Sequence, residues 1–162
     1  LVLRSLSRNK SVTKLSIDTS SVVKFASVAF EELLTQTQTL QKLEITGSAF
    51  EEFDEVQTAA IASGFANNTT LRDVEFQDWP EADLTPVLTA LQAHPALRKL
   101  HLFAAAEDYL RSIPGLHGLL RSQDSKVNEL ILEPVDTRTL GLHAYIRAVP
   151  YTHLTLPTNT IT

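Results

Sequence analysis

The chain has 162 residues, 43% hydrophobic and 20% charged, with a formal net charge of −5. These values suit one globular domain, no apolar run approaches the roughly 20 residues of a bilayer-spanning helix, and the acidity with no basic run argues against a nucleic-acid phosphate backbone as partner. Without cysteine there is no disulfide framework, no thiolate chemistry and no Cys-based metal site.

Taken in order, Leu1 to Leu6 reads as the tail of a helix that feeds a strand after Val12. Val22, Phe25, Ala29 and Leu33 then follow the helical period, with Ser20 or Ser21 placed to cap that helix. A second strand follows Leu40. The next helix opens with Ser48-Ala-Phe-Glu51, a Ser-x-x-Glu capping box, and carries Phe53, Val56, Ala60 and Phe65 on its apolar stripe. Its Glu51, Glu52, Asp54 and Glu55 suit the positive end of the helix dipole, so they read as a solvated helix start. Asn67-Asn68-Thr69-Thr70 contains two overlapping glycosylation patterns, but it falls at a helix-to-strand bend, where Asn is a natural turn residue.

After the strand that follows Leu71, Asp78-Trp79-Pro80-Glu81 opens a third helix, with Thr85-Pro86 as a second start inside it; Leu84, Val87, Leu88 and Leu91 form its stripe. The strand after Leu97 leads to Ile113-Pro114-Gly115. Proline removes a helical hydrogen bond and clashes with the preceding turn, so two short helices are predicted, roughly 106 to 113 and 115 to 122. A strand after Val127 precedes a last short helix starting at Asp136-Thr137.

The strands share one spelling: Val12-Thr-Lys-Leu15-Ser-Ile17, Leu40-Gln-Lys-Leu43-Glu-Ile45, Leu71-Arg-Asp-Val74-Glu-Phe76, Leu97-Arg-Lys-Leu100-His-Leu102 and Val127-Asn-Glu-Leu130-Ile-Leu132. Leading residues at 12, 40, 71, 97 and 127 are a near-constant step apart, the signature of a solenoid whose units cannot bury their apolar faces alone. Within each copy the last two apolar residues are one residue apart, so they face the core while their neighbours face outward. The predicted fold is therefore α/β: five strand–helix units in a right-handed solenoid, residues 1–149, with its ends incomplete and cut from a longer array. Tyr151 to Thr158 repeats the spelling but also resembles translated sequencing-adapter read-through, so 150–162 is read either as a sixth strand or as non-native sequence.

On these motifs the chain resembles leucine-rich repeat proteins of the ribonuclease-inhibitor-like type. The resemblance implies a horseshoe, parallel strands on a concave face, helices on the convex face, and a protein partner. Members of this family usually have Asn or Cys at the ninth repeat position, where this chain has Ser20, Ser48, Trp79, Ala105 and Val135. Extracellular members often carry disulfide-bonded caps, so the lack of cysteine points toward the cytoplasm.

No Gly-rich phosphate loop, Gly-x-Ser-x-Gly, His-Glu-x-x-His or calcium-loop pattern occurs, and the five histidines are not paired at metal-binding spacing. No catalytic residue, cofactor, metal or small-molecule substrate is expected. The candidate site is instead the outward face of the strands: Lys42, Glu44, Asp73, Glu75, Lys99, His101, Phe103, Glu129, Ile131 and Glu133, with Trp79 just beyond the third strand. Phe103 and Ile131 inside a charged rim match the anatomy of a protein-binding hot spot. The expected function is a protein-interaction module; the alternative is the recognition arm of a regulatory enzyme, such as a ubiquitin ligase or a GTPase activator, whose catalytic part lies elsewhere.

Overall fold

The computed structural model describes residues 2–47, 55–77, 84–104, 106–134 and 144–146. Helices and strands alternate: α1 Val2–Ser7, β1 Lys14–Asp18, α2 Thr19–Gln36, β2 Lys42–Thr46, α3 Glu55–Asn67, β3 Asp73–Gln77, α4 Thr85–Gln92, β4 Lys99–Ala104, α5 Ala106–Arg121, β5 Glu129–Pro134 and β6 Ala144–Ile146. All six strands form one sheet in sequence order. β1 to β5 are parallel, each joined to the next by a helix, and β6 adds to β5 in the antiparallel sense. The antiparallel sixth strand is not among the elements expected from the sequence.

The register places like residues beside like. Leu15, Leu43, Val74, Leu100 and Leu130 stand in one row across the sheet, and Ile17, Ile45, Phe76, Leu102 and Leu132 in a second. The three central strands bury both rows completely, whereas Leu15 and Leu132 in the outer parallel strands are only partly covered. Such a gradient is what stacking produces, because each unit borrows its cover from both neighbours. The leading residues Leu40, Leu71 and Leu97 join the same core.

Main-chain bonding repeats from unit to unit. The carbonyl of Thr13 accepts the amides of Gln41 and Lys42; Gln41 accepts those of Arg72 and Asp73; Arg72 accepts those of Arg98 and Lys99; Arg98 accepts those of Asn128 and Glu129. Each strand is thus locked to its predecessor one residue before the ladder begins.

The helices form the second layer, each packed on the next. Phe30, Leu33 and Leu34 of α2 are buried, as are Ile61 and Phe65 of α3, whose ring meets Phe76 edge-on at a centroid distance of 5.9 Å. A Cβ on Gly64 would lie 2.9 Å from Leu34 Cδ1, and one on Gly115 would lie 2.9 Å from the Thr85 Cα, so glycine permits the close approach of α3 to α2 and of α5 to α4. The α4 stripe of Leu84, Val87, Leu88 and Leu91 is buried as expected, and the helix starts at Thr85 with Pro86 in its first turn.

Three expectations are corrected. Residues 106–121 form one helix rather than two, with Pro114 inside it on an exposed face. Gly115, Leu116 and Leu119 are buried on the opposite side, so packing against α4 carries the helix through the one hydrogen bond that proline removes. Val56 is 74% exposed rather than on the core face of α3, which is instead Thr58, Ile61, Gly64 and Phe65. Ser20 and Ser21 lie inside α2, because the helix starts directly after β1 at Thr19. The Ser48 capping box, the Asp78-Trp79-Pro80-Glu81 helix opening, the helix start at Asp136 and the tail from 150 all lie outside the described residues, as do Ser48, Trp79, Ala105 and Val135 of the ninth-position series.

Urea denaturation tests the row assignment. Ile45→Ala should cost about 2–5 kcal/mol, the range for a buried large-to-small change, while Val56→Ala should stay within about 0.5 kcal/mol. Equal losses at the two positions would contradict this division between core and surface.

Candidate functional site on the outward sheet face

Because side chains alternate along a strand, the inward rows fix three outward rows. The first is Lys14, Lys42, Asp73, Lys99 and Glu129; the second is Ser16, Glu44, Glu75, His101 and Ile131; the third is Asp18, Thr46, Gln77, Phe103 and Glu133. Nine of the eleven site residues expected from the sequence therefore lie on one continuous face, and Glu133 holds the register position beside Phe103. Trp79 lies outside the described residues.

The face is organised about Glu75. Its carboxylate accepts a 2.6 Å hydrogen bond from Gln77 Nε2, lies 3.5 Å from Lys42 Nζ and sits 3.6 Å from His101 Nδ1. Lys42 also reaches Asp73 at 3.3 Å, and Gln77 Nε2 reaches Glu44 at 3.4 Å, so one network spans β2, β3 and β4. A separate pair, Lys99 with Glu129 at 3.3 Å, ties β4 to β5. The Glu75 and His101 side chains are each only 16% exposed, which makes this the least solvated polar group of the ion pairs on the face.

Electrostatics follow from these contacts. Burial disfavours the charged Glu75, but the Gln77 hydrogen bond, with His101 and Lys42 adding to it, outweighs burial and holds the carboxyl below its ordinary range. Lys42 is likewise raised: burial works against its charge, and Asp73 and then Glu75 overcome it. The network holds these side chains in defined orientations on the face.

Beside it lies an apolar element. Phe103 and Ile131 are half-buried, and the Phe103 ring meets the His101 ring nearly perpendicular, centroids 6.5 Å apart. Register puts Ile131 directly beside His101 and Phe103 beside Glu133, so the two apolar residues are diagonal neighbours, about 8 Å apart at Cα from the usual rise and strand spacing. His101 fills the corner between them. The surface is thus a polar cluster on β2 to β4 grading into an apolar corner on β4 and β5.

Gln77 was legible as an outward residue two positions from Glu75 on the same strand, but it carries no charge, and the structure shows its amide to be the closest partner of the Glu75 carboxylate. A second group of polar residues is less conspicuous: Asn9, Thr37, Asn68 and His94, each three residues before a leading apolar position, whose side chains accept main-chain amides in the turn before the strand. Their common offset is the signal that could have found them. Asn68 is 1% exposed, so the second glycosylation pattern at 67–70 has its acceptor inside the protein.

Among the described residues no cluster of three or more His, Cys, Asp or Glu could hold a metal, and no helix is long and apolar enough to cross a membrane. No family model and no curated protein matches the chain.

Stability linkage gives the sign of the Glu75 effect. A carboxyl whose folded pKa is lowered contributes fully above its unfolded value near 4.5, and the contribution is lost as pH falls through the folded value. Replacing Gln77 by Ala removes the 2.6 Å hydrogen bond that favours the charged carboxylate, so the titration midpoint of Glu75, followed by NMR, should rise toward 4.5. A midpoint unmoved by this substitution would show that Gln77 does not hold the carboxylate.

Proposed function

We propose that the chain is a leucine-rich repeat solenoid of ribonuclease-inhibitor-like type that acts as a protein-interaction module, without catalytic activity of its own. The observation that carries this reading is the in-register outward face of five parallel strands, on which a pre-oriented polar network borders the half-buried Phe103 and Ile131. An aromatic anchor beside fixed polar groups is the usual arrangement of an interface centre. The helices cover the other side of the sheet, leaving this face as the one that a partner could span across several units at once.

In this reading the partner is a protein. The net charge of −5 disfavours a nucleic-acid backbone, and no cofactor or small-molecule substrate is called for. His101 and Glu75 lie 3.6 Å apart, beyond direct hydrogen-bond distance, and in this reading their role is to shape the surface around Phe103.

Site-specific photocrosslinking tests the choice of face. A benzophenone side chain introduced at Phe103 should capture the partner in cell extract, and the same group at Val56 on the helix side should not. With the partner identified, Phe103→Ala should weaken binding by more than about fivefold, equivalent to about 1 kcal/mol, while Ser16→Ala leaves it unchanged. Capture at Val56 with none at Phe103, or full affinity in Phe103→Ala, would transfer the site to another surface.

A further inference from the structure

The turns that lead from α1, α2, α3 and α4 into the following strands share one device. Asn9 Oδ1 accepts the amides of Ser11 and Val12, both at 2.8 Å; Asn68 Oδ1 accepts those of Thr70 and Leu71, both at 2.9 Å; Thr37 Oγ1 accepts the amide of Leu40 at 3.3 Å. In the fourth copy the acceptor is an imidazole nitrogen: His94 Nδ1 takes the amides of Ala96 and Leu97 at 3.3 and 3.1 Å. Asparagine and threonine cannot change charge in this role. Histidine can.

An Nδ1 that accepts two amides carries a lone pair, so the ring proton resides on Nε2, which faces Asn68 Oδ1 at 3.3 Å and donates to it. Asn68 in turn donates through Nδ2 to the Leu34 carbonyl at 2.7 Å. The sequence Leu34, Asn68, His94 links the end of α2 to the turn before β3 and that turn to the one before β4. His94 is 2% exposed. A second proton on its ring would have to enter at Nδ1, where it would confront two N–H donors and leave both amides without an acceptor.

The charged surroundings do not favour that proton. Arg98, four residues on, acts on the ring with the same sign; Lys99 begins β4 and is engaged with Glu129. The neighbouring turn contributes neutral Asn67, Asn68, Thr69 and Thr70, and the turn after α5 carries Asp124 and Lys126, both exposed to solvent.

We propose that His94 is an acid-released latch: protonation of its imidazole opens the turn from Ala93 to Arg98 and uncouples the third strand–helix unit from the fourth. The Glu75–His101 contact crosses this same junction, so release at His94 would also disturb the polar network of the outward face. Burial first, and Arg98 second, lower the folded imidazole to about 4 from 6.5. With the folded value below the unfolded one, the closed turn is fully stabilised above pH 6.5, and stabilisation declines as pH falls from there to about 4. The latch is closed at neutral pH and is loosened over the mildly acidic range.

The test is amide hydrogen exchange of the full chain, corrected for the intrinsic pH dependence of exchange, in wild type and His94→Asn. Asparagine already performs this bonding at positions 9 and 68, so the variant keeps an acceptor and a donor and removes the titration. Between pH 7.5 and 4.5 the protection factors of Ala96 and Leu97 should fall on the order of 100-fold in wild type and by no more than a few-fold in the variant. Wild-type protection that does not fall, or an equal fall in His94→Asn, would overturn the latch. Should the variant fail to fold, nitrogen NMR of wild-type His94 decides the matter. An Nε2–H tautomer with a midpoint near 4 supports it, and an Nδ1–H tautomer or a midpoint near 6.5 refutes it.

Discussion

Everything in this structure depends on one constraint: apolar residues from successive strands must meet in register, because no single unit can cover its own. Leu43 is fully buried between its register partners Leu15 and Val74, in one core with Phe30, Leu34, Ile61 and Phe65 of the helices, and the other rungs between the first and the fifth are flanked in the same way. A slip of one residue in any strand would turn its inward pair to solvent and its charged neighbours to the core. That penalty is what fixes the register, and the register in turn decides which polar side chains meet outside. Lys42 with Asp73 and Glu75, Lys99 with Glu129, and Glu75 with His101 are consequences of the hydrophobic rows rather than causes of them. Partly exposed pairs of this kind contribute little stability individually, and their value lies in orientation.

The architecture was legible in the sequence wherever the signal was periodic. The alternation in Leu43-Glu-Ile45 and Leu100-His-Leu102 specifies strands and their faces, and the recurrence of the spelling specifies that they stack as parallel neighbours. The α4 stripe was equally plain. What escaped was decided between elements. Pro114 reads locally as a break, yet the buried Gly115, Leu116 and Leu119 hold the helix against α4 across it. Val56 has the residue type of a core position, but Thr58 occupies the inward direction because the face of α3 is set by Gly64 against Leu34. The antiparallel β6 has only three residues, too short to produce a pattern.

The candidate site divides in the same way. Which residues point outward follows from alternation alone, so the surface could be written down before any coordinates. Which of them touch cannot be known without the register. Ile131 pairs with His101 rather than with Phe103, and Lys42 and His101 reach Glu75 from the strands on either side. The turn-bonding side chains were hidden for a different reason: Asn9, Thr37, Asn68 and His94 have four different contexts and three chemistries, and only their shared amide acceptance makes them one series.

The twofold amide acceptance by the carbonyls of Thr13, Gln41, Arg72 and Arg98 has a broader consequence. Those bonds involve no side chain, so main-chain bonding helps set the pitch of the stack at the entrance to β2, β3, β4 and β5. The helical crossovers can therefore lengthen or shorten, and the exposed lettering of the strands can be rewritten, without disturbing the spacing at which that lettering is displayed. A scaffold of this kind separates its ruler from its text, and the surface it displays can change by exchange of outward residues alone.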